Sequence, residues 1–127
     1  MEPTNPSATY TCAACGETAS TVTLVAPGRP DPRFGRVVPH GSQLAIDGGP
    51  ISITLAPVPA EQVAAALESG DAAALFAIDP EYAPFWCPRC AAAYCRDHYV
   101  TKQVYVQGFP LSVSGVCPKG HRRMLNG

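Results

Sequence analysis

A chain of 127 residues is read most simply as one domain with a modest core. Its formal charge of −1, from nine basic and ten acidic side chains, sets up no strong field for nucleic acid or an anionic membrane. Fourteen prolines and eleven glycines predict much turn and loop.

The first ten residues are expected to be a loose arm. Met1-Glu-Pro-Thr-Asn-Pro-Ser7 has neither a basic start nor an apolar run, so it does not read as a secretory leader. The longest apolar stretch, Ala72 to Ile78, is far too short to span a bilayer. These features together predict a soluble, cytoplasmic protein.

Tyr10-Thr-Cys12-Ala-Ala-Cys15-Gly16 reads as a zinc knuckle, a tight turn in which two thiolates grip one ion while backbone N–H groups point at sulfur. Gly16 suits the left-handed conformation wanted just after it. Thr21 to Ala26 is rich in β-branched residues and predicts a strand. Pro27 to Pro32 reads as loop, and Phe34 to Val38 as a short strand. Gln43 to Ile46 and Ile51 to Leu55 flank Asp47-Gly-Gly-Pro50. The alternation of Ile51, Ile53 and Leu55 with Ser52 and Thr54 predicts a hairpin with one buried face.

Pro59 suits a helix first turn, and Ala60 to Ser69 places Val63 and Leu67 on one face before Gly70 ends it. Asp71 is placed to cap a second helix through Ile78, which Asp79-Pro80 stops. Tyr82, Phe85 and Trp86 then arrive just before Cys87. As aromatics they are expected to pack beside the metal; the functional alternative is a partner-binding surface at Phe85 and Trp86. After His98 a second alternating stretch, Val100 to Val106, turns at Gly108-Phe-Pro110 and returns through Leu111 to Val116. Pro118 is placed to start a short helix through Leu125, which would bring Cys117 and His121 onto one face.

The chemistry lies in four pairs of thiols and imidazoles: Cys12 and Cys15, Cys87 and Cys90, Cys95 and His98, Cys117 and His121. Eight such ligands are what two closed four-ligand zinc sites need, with no position left for water, so the metal is expected to be structural. Three disulfides are the other use of six cysteines. Two pairs end in histidine, however, and all four have metal-ligand spacing. A thioredoxin-like redox pair would leave the four matching pairs unexplained.

Spacing leaves two pairings open. In one, Cys87, Cys90, Cys95 and His98 hold one ion, and Cys12, Cys15, Cys117 and His121 the other. In the other, alternate pairs combine: Cys12, Cys15, Cys95 and His98 at one site, and Cys87, Cys90, Cys117 and His121 at the second. The alternate arrangement gives a knuckle, a hairpin and a ligand-bearing helix, which is the treble-clef order.

The order of the four pairs resembles the cross-braced two-zinc families RING and FYVE. Cys87-x2-Cys90-x4-Cys95-x2-His98 is similar to a FYVE segment, and Cys117-Pro118-x2-His121-Arg122 is similar to the RING ending. That resemblance implies a scaffold that recruits a ubiquitin-type conjugating enzyme, with Arg122 contacting the carried modifier. The chain departs from RING in the seventy-one residues between Cys15 and Cys87, in His121 replacing a cysteine, and in Ala13-Ala14 inside the first pair. It lacks the basic cluster of FYVE before Cys87, so lipid binding is not expected.

Lys119, Arg122 and Arg123 read either as cations in the last turn of a short helix or as a small nucleic-acid patch. His40 reads as a loop residue. Asp47, Asp71 and Asp79 read as caps and turns, and no nucleophile elbow, phosphate loop or HExxH motif is present.

The expected architecture is a single α+β domain of β-hairpins and short helices. It comprises a knuckle at 10–20, an inserted segment at 21–80 and a treble-clef core at 81–127, held by two Zn2+. The expected function is non-catalytic display of a protein-binding surface, with a zinc-ribbon nucleic-acid binder as the alternative.

Overall fold

Alternating apolar and polar residues build most of what the computed structural model shows, which describes residues 6–30 and 41–126. Strands β1 (Ser7–Thr11), β2 (Thr18–Val25), β3 (Ser42–Asp47) and β4 (Ile53–Val58) form an antiparallel sheet in that order. Val22, Leu24, Leu44 and Ile46 are buried on it. Register is set by pairs such as Leu24 with Leu44 and Ile46 with Ile53, on either side of the Asp47–Pro50 turn. A slip of one residue would turn these side chains to the wrong face. The expected loose arm is ordered from Ser7 as edge strand β1, because Tyr10 has a buried site to fill. The strand expected at Phe34 to Val38, and His40, lie outside the described residues.

Helix α1 (Ala60–Ser69) buries Val63, Ala66 and Leu67 against β1 and β2 and ends at Gly70. Helix α2 (Ala72–Ile78) begins at Asp71, whose carboxylate accepts from the Ala73 N–H at 2.9 Å. Asp79 does the same for Glu81 in the 3-10 turn Pro80–Tyr82, also at 2.9 Å. Both aspartates are therefore caps. Pro59 sits one place before the first helical residue, with extended backbone.

That turn delivers the aromatic segment to the core. Phe85 is fully buried and stacks on Tyr10, ring centroids 4.8 Å apart, so it offers nothing to a partner. Trp86 is half-buried against Phe76, centroids 5.1 Å apart. Two short strands follow, β5 (Trp86–Cys87) and β6 (Ala92–Ala93). A separate antiparallel sheet is made by β7 (Val100–Val106), β8 (Phe109–Val116) and β9 (Arg122–Asn126). The β7–β8 turn is Gln107-Gly108, both at positive φ (52° and 83°), the two-residue geometry that matches strand twist.

The helix expected from Pro118 to Leu125 does not form, and with it goes the expected treble-clef order. Cys117 to His121 is a turn closed by Gly120 N–H to Cys117 O at 2.9 Å, with Gly120 at φ +85. A left-handed residue cannot continue a helix. Beyond it, Arg122 and Arg123 pair with Val116 and Gly115 of β8, so the backbone groups find a ladder instead.

Strand β9 also locks the second sheet to the first half of the chain. Arg123 points inward, donating to Ala83 O (2.9 Å), Trp86 O (2.7 Å) and Pro80 O (2.8 Å), with its guanidinium 5.1 Å from the centroid of the Phe76 ring. It serves as a clamp on the segment leading to Cys87 rather than as a surface cation.

Gly115 is required by space. A Cβ there would lie 2.5 Å from Tyr99 Cε1 and 2.7 Å from Leu125 Cδ1, and both side chains are buried. Gly115→Ala is expected to lower stability by about 1–3 kcal/mol through overpacking, read as a lower urea midpoint of the metal-loaded protein. An unchanged midpoint would contradict the packing described.

Candidate metal centres

Two groups of four ligand atoms come together, and they combine alternate pairs. Cys12, Cys15, Cys95 and His98 form one set; Cys87, Cys90, Cys117 and His121 form the other, with the ligand atoms of each set all within 4.8 Å of one another. The adjacent-pair alternative is not what the fold produces. Each set joins distant parts of the chain: the first ties the β1–β2 turn to the loop after β6, and the second ties the β5–β6 turn to the β8–β9 turn.

The separations can be tested against coordination geometry. For tetrahedral sulfur at about 2.3 Å and nitrogen at about 2.0–2.1 Å from an ion, S···S edges come to about 3.8 Å and S···N edges to about 3.6 Å. Observed S···S distances are 3.7 Å for Cys15 with Cys95 and 3.7 Å for Cys90 with Cys117. His98 Nδ1 lies 3.8 Å from Cys12 Sγ and 3.2 Å from Cys95 Sγ. His121 Nδ1 lies 3.5 Å from Cys87 Sγ and 3.2 Å from Cys90 Sγ. These are edges of a four-donor cage, far longer than a sulfur–sulfur bond of about 2.05 Å, and all six cysteines are free thiols. The residues present therefore fit two metal ions, each held by three sulfurs and one Nδ1.

Local backbone explains how each sulfur is aimed. The first turn is closed by Gly16 N–H to Cys12 O at 2.9 Å and Cys12 N–H to Glu17 O at 2.7 Å. The second closes through Gly120, and the His121 N–H points at Cys117 Sγ at 3.4 Å. Ala13 N–H to Ala93 O (2.8 Å) fastens the first turn to β6, and Tyr94 N–H to Phe85 O (2.9 Å) fastens β6 to the core.

Thiol acidities show why a cation belongs here. Burial opposes ionisation of Cys12, but backbone N–H groups of Cys95, Ala14 and Cys15 aimed at its sulfur outweigh this and bring it down to about 6. The Glu17 N–H favours the Cys15 thiolate, yet burial and the neighbouring sulfurs of Cys12 and Cys95 push it up to about 11. The second set shows the same split. Burial, with sulfur neighbours, raises Cys87; backbone N–H groups of His121 and Lys119 bring Cys117 down despite burial. The first sulfur to ionise makes the next one harder, so three thiolates together need a positive charge in their midst.

Tyr94 was not singled out by its sequence context. The Cys90 sulfur near its hydroxyl is the chief reason its own ionisation is pushed up, followed by burial. Tyr94 also precedes Cys95, so one buried residue feels the charge of the second set while its chain neighbour belongs to the first. Arg122 is exposed directly after His121.

A family model described as a domain of unknown function, DUF8328, matches residues 2–127. The chain belongs to the DUF8328 family. No curated protein and no solved structure matched. In this DUF8328 chain, no helix among the described residues is long and apolar enough to cross a membrane.

A closed structural metal site contributes about 10–16 kcal/mol of apparent folding free energy, against about 5–15 kcal/mol for a whole domain. Strong chelator is therefore expected to remove two equivalents of metal per chain and to abolish the cooperative thermal transition. Metal analysis with circular dichroism checks this; an unaltered melt after chelation would refute it.

Proposed function

We propose that this protein is a non-catalytic two-zinc module whose metal sites hold a protein-binding surface in place. The observation that carries this reading is the donor count. Each set supplies four protein ligands, so a tetrahedral ion has no place for water or substrate. Zinc is the ion favoured by three thiolates and an imidazole at tetrahedral spacing, because it has no geometric preference of its own and does not change oxidation state.

Cobalt substitution tests the closed-site claim. Cobalt(II) in both sites should give the strong visible bands of tetrahedral sulfur ligation, unchanged by excess azide. Bands that move with added anion would mean an open position, and the non-catalytic reading would fall.

The sharper form is a RING-like scaffold for a ubiquitin-type conjugating enzyme. Its support is the alternation of ligand pairs and the exposure of Arg122 directly after the last ligand. Under this form, the zinc-loaded protein speeds discharge of a loaded conjugating enzyme, and Arg122→Ala removes the effect while both zincs are retained. A zinc-ribbon nucleic-acid binder is the second reading, favoured by the strand that follows Cys117 and His121.

A further inference from the structure

The two metal sites differ in how far their sulfurs are shielded from solvent. In the first set Cys12 and Cys95 are buried, while Cys15 is exposed, the one exposed thiol of the six. Its turn is built from Ala13, Ala14 and Gly16, all exposed, so the turn itself has no bulky side chain to screen the sulfur. In the second set Cys87 and Cys117 are buried and Cys90 is half-buried. The turns there carry Pro88, Arg89, Pro118 and Lys119 instead, and the buried Tyr94 lies near Cys90. Sulfurs that hold a metal ion are thiolates already. Access, rather than ionisation, then decides which of them an oxidant reaches first.

A partner sulfur for Cys15 is already in place. Cys95 Sγ lies 3.7 Å from Cys15 Sγ. The Ala13 N–H bonds to Ala93 O at 2.8 Å, which fastens the two segments together two residues before each sulfur. From 3.7 Å, the sulfurs need to approach by only roughly 1.7 Å to reach bonding distance.

We propose that the first site is a peroxide-sensitive metal switch: Cys15 is oxidised first and bonds to Cys95, the first ion leaves, and the second site keeps its own. The proposal rests on the two-zinc reading above and adds a regulation to it. The Cys15 thiolate attacks one oxygen of hydrogen peroxide. The O–O bond breaks, leaving a sulfenic acid on Cys15 and a hydroxide that solvent protonates to water. The Cys95 thiolate then attacks the Cys15 sulfur, forms the S–S bond and expels a second hydroxide, which becomes a second water. Each sulfur gives up one electron, and the peroxide takes both. Only Cys12 and His98 are left as donors, too few for a closed four-ligand site. The new bond spans the same 80 residues as the lost edge of the cage, so the β1–β2 turn stays tied to the loop after β6. A thiol reductant with added zinc reverses the change.

The test uses the full chain loaded with two equivalents of zinc and treated with hydrogen peroxide. A chromogenic chelator reads the released metal, and alkylation followed by non-reducing peptide mapping locates the disulfide. The expected result is two phases, the first equivalent leaving at least about tenfold faster than the second. The one-zinc species carries a Cys15–Cys95 disulfide, still melts cooperatively, and regains its ion with reductant and zinc. Cys15→His keeps four donors and removes the exposed thiol, and is expected to slow loss of the first equivalent about tenfold or more. If that variant does not load two zincs, the disulfide map of the unaltered chain decides alone. Release of both equivalents in one phase, a first disulfide within Cys87, Cys90 and Cys117, or a Cys12–Cys15 bond in the one-zinc species each overturns the proposal. Zinc content before oxidation and the azide-insensitive cobalt spectrum depend on none of these results, so failure of the switch leaves the closed-site reading standing.

Discussion

Four donors around one cation, twice, is the constraint from which the rest follows. Three thiolates within 4.8 Å of one another are mutually repulsive, and burial of most of them sharpens that repulsion. The fold accepts the cost because each cluster is built where backbone N–H groups already face sulfur: Ala14, Cys15 and Cys95 toward Cys12, Lys119 and His121 toward Cys117. The remaining charge is left for an ion. Without it, the ligand-bearing turns are held by the stacking of Tyr10 on Phe85, the Arg123 clamp and a few main-chain bonds, on top of the apolar core that packs the helices on the first sheet.

Those secondary joints are arranged around the metal sites. Tyr10 lies two residues before Cys12 and stacks on Phe85, two residues before Cys87. Arg123, two residues after His121, holds the carbonyls of Ala83 and Trp86. Each ligand-bearing turn is thus flanked by a residue that fixes its direction of approach, as ligand preorganisation requires. Tyr94 adds a buried hydroxyl whose ionisation is opposed by the nearby Cys90 sulfur.

Much of the scaffold was legible in the residues. The Asp47–Pro50 hairpin, both helices with their Gly70 and Asp71 boundaries, the β7–β8 hairpin and the four ligand pairs all follow from local periodicity, caps and spacing. The failures share a cause. Residues 1–10 read as an arm, though β1 starts at Ser7, and 118–125 as a helix, because their structure is decided by a distant partner strand: β2 for the first, β8 for the second. Pro118 carried a genuine helix-start signal, but Gly120 and the waiting edge of β8 overrode it. Arg123 looked like a surface cation because nothing nearby in sequence announces the carbonyls it meets some forty residues upstream. The choice between two ligand pairings was likewise a question of three-dimensional proximity that spacing alone left open.

The alternation of ligand pairs has a consequence for the order of assembly. The contact between Cys87 and His121 closes a span of 34 residues, whereas that between Cys12 and His98 closes one of 86. Chain-closure entropy makes the longer ring dearer by only about 0.8 kcal/mol, but it encloses both helices and most of the first sheet. The short ring needs only a hairpin and two turns. The C-terminal third is therefore the natural nucleus, and capture of the second ion waits on long-range pairing elsewhere, a hierarchy in time written into the sequence positions of eight side chains.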